Sequence, residues 1–208
     1  ITAEQSYNLL AQGAQQGLNK SQELLDSANE YSVYFKTLGY DANEMFDIFN
    51  TGLENGAFNL DKVGDVVKEF GIRIKDGSTT TSDALSYLFR SNGFDDYMTK
   101  LQNGGTATKQ FMELASQVGR ENAAALVKDL QSSGAASEKA YKSIEWTMGG
   151  AGQFLDALSS GALEGKDAMQ QVIQKISEIG DTSLQSQMAV ALFGTQAEDL
   201  EMKTLLSL

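Results

Sequence analysis

One unit occurs twice near the start of this chain. Adding 39 to a residue number brings Ile1–Phe35 into register with Asp41–Gly77, because Gly52 lies 39 residues after Gly13. Ala3 then matches Ala42, Tyr7 matches Phe46, and Leu9 and Leu10 match Ile48 and Phe49. Gly13 and Gly17 match Gly52 and Gly56, Leu24 matches Val63, and Tyr31 matches Phe70. Asp26 and Glu30 fall on Asp65 and Glu69. Each copy opens on a capping box, Thr2 with Gln5 and Asp41 with Glu44, in which a short polar side chain and the residue three on satisfy each other's free N–H groups. In the second copy Asn59 or Asp61 restarts a helix. Val63, Val66, Val67, Phe70 and Ile74 follow at three- and four-residue steps, which is one helix face. A period near 40 residues with two helices per unit predicts an all-α chain of repeated helical hairpins, about 10–13 helices in a solenoid-like or irregular array.

Proline is absent from all 208 residues. Average usage of roughly 5% would supply about ten. Because proline breaks helix interiors, such a chain is free to be helical almost anywhere. Phe70–Lys75 and Tyr31–Phe35 alternate apolar and polar residues, a weak strand signal, but helix is expected through both.

Further hairpins follow. Gly77–Asp83 predicts a loop whose Ser or Thr residues cap a helix over Asp83–Arg90. Phe94–Leu101 and Thr106–Val118 predict a looser hairpin about Gly104-Gly105. Gly119–Ser132 and Ser137–Met148 predict two helices joined at Gly134, and Met148–Gly152 a second break. A further copy of the unit is expected at an offset of 109, with Leu155 and Leu158 in the places of Phe46 and Phe49, and Gly161 and Gly165 in the places of Gly52 and Gly56. Asp181-Thr182 predicts a cap, with Gln185 closing a box on Thr182, and a turn at Gly194 precedes a last helix. The expected organisation is two tandem hairpins over residues 1–78, a degenerate hairpin and linking helices over 79–148, and a further hairpin with terminal helices over 149–208. The chain has no initiator Met, starts on a helix cap and stops inside an apolar run, so it is expected to be a piece of a longer protein.

The sequence leaves little room for catalysis. It holds no Cys and no His, which removes thiol chemistry, the commonest general base and the commonest metal ligand. Asp61, Asp65 and Glu69 share a helix face, but neighbouring Lys62 and Lys68 and the lack of completing ligands favour a solvated acidic face over a metal or acid/base site. Gly161–Asp167 is one residue short of a phosphate loop and has Asp where Ser or Thr is needed. Trp146, the sole tryptophan, is expected to be buried or at an interface. The net charge of −12, spread over both halves, disfavours nucleic-acid and anionic-membrane binding, and no apolar run reaches the roughly 20 residues of a membrane span. No catalytic, cofactor-binding or metal residue is nominated, and the chain is not expected to be an enzyme.

Leu9–Asp26, Phe35–Gly39, Asp41–Phe46, Lys62–Gly77 and Val190–Leu200 together resemble, in order, the tail tape measure proteins of long-tailed bacteriophages and prophages. Departures are local: Ala197 stands where that family often has Trp, and Asn92–Gly105 is a degenerate version of its repeat. The resemblance implies a structural ruler that sets tail length during assembly and occupies the lumen of the tail tube. It implies tube subunits and tail assembly chaperones as partners, self-association in the tail, and residence in the virion and, during assembly, the host cytoplasm. A chain drawn out as one helix would span roughly 310 Å at about 1.5 Å per residue. Gly13, Gly17, Gly52, Gly56, Gly161 and Gly165 are the candidate hinges at which folded hairpins would open. The competing readings are a cytosolic helical-repeat scaffold for protein interactions and a peptidoglycan-cleaving helical domain.

Overall fold

The computed structural model describes residues 2–20 and 22–208. Among these, 14 α-helices and one 3-10 turn are present and no strand is found, so the chain is all-α. It divides into two compact units, one of residues 1–84 with 161–208 and one of residues 85–160.

The first unit begins with α1 (Ala3–Gln15), α2 (Leu24–Thr37), α3 (Ala42–Glu54) and α4 (Leu60–Arg73). Both expected capping boxes form: Thr2 and Asp41 accept from the backbone of Gln5 and Glu44, whose side chains return the bond. Asn59, not Asp61, caps α4 by accepting the Lys62 N–H at 3.1 Å. An asparagine side chain there reaches the first orphan N–H groups of the helix and leaves Asp61 free to favour its positive end. Tyr31–Phe35 lies within α2, and α4 runs to Arg73.

Helix α4 is the centre of this unit. Its Leu60, Val63, Val66, Val67 and Phe70 have essentially no solvent exposure. Such burial contributes about 1.5–3 kcal/mol for each large side chain. α2 and α3 pack on it, as do α12 (Thr182–Phe193) and α13 (Gln196–Leu200) from the other end of the sequence. Phe193 stacks on Phe70 with ring centroids 5.2 Å apart. α11 (Gly165–Ser177) docks on the α2–α3 connection: the Lys166 N–H donates to the Leu38 carbonyl at 2.7 Å, and the Tyr40 hydroxyl lies 3.7 Å from the Met169 sulfur. A short α14 (Met202–Leu205) closes the unit, and its Thr204 hydroxyl donates to the Asn55 carbonyl.

At two helix starts the structure selects one of the caps that the sequence offered, with consequences for the helix or for its capping box. Helix α5 is Thr79–Leu88, four residues longer at its start than Asp83. Ser78 is the reason: its hydroxyl accepts the Thr81 N–H at 3.2 Å, and its own N–H donates to Asp76. At α12, Asp181 accepts the Leu184 N–H at 2.8 Å and displaces Thr182 as the cap, an ionised carboxylate being the stronger acceptor. Gln185 therefore closes no box. Its amide donates to the Ile176 carbonyl and satisfies the end of α11.

The second unit holds α6 (Phe94–Gly104), the 3-10 turn Gly105–Ala107, α7 (Lys109–Val118), α8 (Arg120–Leu130), α9 (Ala135–Gly149) and α10 (Ala151–Ser160). Thr108 caps α7. The core is Phe94, Met98, Leu101, Phe111, Leu114, Val127, Leu130 and Ile144.

Candidate functional site

The sequence nominated six glycines, and the structure places them in two groups. Gly17, Gly56 and Gly161 adopt positive φ of 95°, 115° and 77°, the left-handed region in which a β-carbon is strained. Gly13 and Gly52 lie inside α1 and α3, and Gly165 is the first residue of α11. All three lie against neighbouring groups. A β-carbon on Gly13 would sit 2.8 Å from the Phe46 ring, and one on Gly165 would sit 2.9 Å from the Leu38 Cα.

Around the first two turns the hydrogen bonds coincide at a separation of 39 residues. Leu18 and Ala57 donate to the carbonyls of Gly13 and Gly52, and Gly17 and Gly56 donate to those of Ala14 and Leu53. The second turn is additionally covered by Thr204, whose hydroxyl oxygen would lie 3.6 Å from a β-carbon at Gly56. The offset of 109 does not reproduce this arrangement. Gly161 is the left-handed residue and Gly165 is helical, the reverse of Gly52 and Gly56. Leu155 and Leu158 are half-buried while Phe154 takes the buried position. The shorter α10 stops at Ser160, so the turn comes earlier in the register.

The acidic face of α4 is not simply solvated, as the sequence suggested. Asp61 and Asp65 are half-buried and accept hydrogen bonds from α2: Ser27 Oγ donates to Asp61 at 3.1 Å and Tyr31 Oη to Asp65 at 3.0 Å. Glu69 pairs with Arg73 at 3.2 Å. Burial, then the bond to Asp65, pushes the Tyr31 phenol well above its ordinary pKa. The carboxylates thus fasten two helices. The sequence signal available for this was Gly64 between them, which lets the Tyr31 ring lie against the α4 backbone. Asp26 and Glu30, the sequence counterparts of Asp65 and Glu69, are exposed. Among the described residues no group of three or more acidic side chains converges as a metal site would require, and no helix is long and apolar enough to cross a membrane.

Other charged contacts are also architectural. Lys166 Nζ meets Glu44 at 2.8 Å, tying α11 to α3; the bond to Lys166 and that to the Asp41 backbone hold the Glu44 carboxyl below its ordinary pKa. Trp146 is half-buried on α9.

Hydrogen-bonded and ion-paired side chains of the first unit thus fasten one helix to another. The family described as phage-related minor tail protein matches residues 1–131, and the chain belongs to that family, and with it to the structural proteins of phage tails. It is also 28% identical over 199 residues to a protein of Streptomyces phage phiC31 described as "Probable tape measure protein". That likeness covers 96% of this chain but 19% of the phiC31 protein, so the chain corresponds to about a fifth of that relative's length. No solved structure matches the chain.

Proposed function

We propose that this chain is a segment of a tape measure protein: a ruler that sets tail length while the tail is assembled and lies in the lumen of the tail tube. The observation that carries this reading is the likeness, along nearly the whole chain, to the phiC31 protein of that description. An all-helical, proline-free chain supports it, since a ruler threaded through a tube needs length without kinks. Its partners in this reading are tube subunits and tail assembly chaperones, with other copies alongside in the virion, after a period in the host cytoplasm. Gly13, Gly17, Gly52, Gly56, Gly161 and Gly165 are the positions at which the compact hairpins open as the chain is drawn out.

A photo-crosslinking residue at Phe58 or Tyr7, both strongly exposed side chains, tests the placement in intact particles. Crosslinks to tube subunits are expected. Crosslinks confined to proteins outside the tail tube contradict it.

A further inference from the structure

The second unit contains two helices separated by a single residue. Helix α9 has 15 residues and α10 has 10, and only Gly150 stands between them. Its φ of +115° breaks the helical path. Helical bonding resumes at once, with the Phe154 N–H donating to the Gly150 carbonyl at 3.0 Å. There is no proline from Ala135 to Ser160, and the two other glycines, Gly149 and Gly152, flank the break.

The break is held from outside α9 and α10. A β-carbon at Gly150 would lie 2.8 Å from the Phe89 carbonyl oxygen, so the Phe89 backbone rests on the joint. The Phe89 ring stacks on Phe154 of α10, with centroids 4.2 Å apart and planes 25° apart. The next residue, Arg90, pairs with Glu145 of α9, a carboxylate 8% exposed. Phe89 and Arg90 therefore grip α10 and α9 respectively, one on each side of the joint. Within the joint, Gly152 comes within 2.9 Å of the Trp146 carbonyl oxygen, measured from where its β-carbon would be. A helix end buried this way leaves the last carbonyls of α9 and the first N–H groups of α10 without their helical partners.

We propose that Gly150 is a bistable joint: released from the Phe89–Arg90 clasp, α9 and α10 merge into one straight helix from Ala135 to Ser160. The change needs new φ and ψ at essentially one residue. It gives up the Phe89–Phe154 stack and the burial of Phe154. In return, the carbonyls of Trp146, Thr147, Met148 and Gly149 regain the i+4 N–H groups that the break denies them. The straight form would be about 39 Å long. Its use in drawing out a ruler rests on the reading above, whereas the joint itself is a property of the isolated protein and is tested there.

The absence of cysteine allows paired spin labels at Lys139→Cys and Ser159→Cys, both exposed sites. In the parent chain the pair reads the bent distance. Two further substitutions act by different routes: Gly150→Ala favours straight helix and crowds the Phe89 carbonyl, while Phe89→Ala removes the ring that holds α10. Both are expected to shift the pulsed-EPR distance towards about 30 Å, the span of 20 helical residues, with far-UV helix content kept or raised. Distances that stay bent in both variants overturn the proposal. So does loss of helix content in both, because the joint would then melt and not straighten. A straightening joint in a phage whose tail length ignored the ruler segment would separate this inference from the ruler reading.

Discussion

Tyr31 Oη donates to Asp65 Oδ1 at 3.0 Å across the α2–α4 interface, and the ring lies over Gly64 one residue away. This relationship couples a hydrogen bond to a close backbone approach, so its two halves are separable by mutation. Tyr31→Phe keeps the ring and removes the donor. It should cost about 1–2 kcal/mol, the range for a hydrogen bond to a carboxylate that retains some water. Gly64→Ala keeps the donor and overpacks the ring, and should cost about 1–3 kcal/mol. Urea unfolding at constant m-value measures both.

The left-handed turns give a second prediction. Gly56→Ala should destabilise by about 1 kcal/mol or more, because φ of +115° strains any β-carbon. Gly180→Ala is the control. Gly180 is exposed, nothing lies within 4 Å of its would-be β-carbon, and its φ is not in the left-handed region. It should be neutral or stabilising by about 0.4–1 kcal/mol through the unfolded chain. Equal losses at the two sites, read as midpoints of thermal unfolding, would refute this account of the turns.

The paired helices were legible in the sequence because their signals are local. Capping boxes at Thr2 and Asp41, the apolar face of Val63 to Phe70 and the glycines at 17 and 56 each act within a few residues. The contacts between distant segments were not legible. Nothing near Asn55 announces that Thr204 will cap its carbonyl, and nothing near Phe70 announces Phe193. The bonds of the acidic row on α4 were not legible for the same reason: its partners Ser27 and Tyr31 lie on another helix, 34 residues from Asp61 and Asp65. Ser78 and Asp181 were legible as candidate caps, each within a run of short polar residues that offered more than one.

Stability should be flat between about pH 6 and 9, since the chain has no histidine to titrate there. Glu44 has a lowered pKa through its bonds to Lys166 and the Asp41 backbone. Its contribution is present above its ordinary value of 4.5 and is lost as pH falls through the lowered one. Tyr97 behaves oppositely. Burial, and then Glu113, pushes its phenol up to about 12. Its contribution is present below 10.0 and is lost as pH rises from there to about 12. Chemical denaturation across pH 3–11 should trace this plateau with two falling limbs. A step near pH 6.5, where an unperturbed histidine would titrate, would contradict it.

The ruler reading is tested most directly by tail length. An in-frame deletion of Tyr40–Ser78 removes one 39-residue repeat from the protein in its phage, and electron microscopy of the particles then measures the tails. If the segment is extended helix in the assembled tail, tails shorten by about 58 Å. Tails of unchanged length would contradict the ruler.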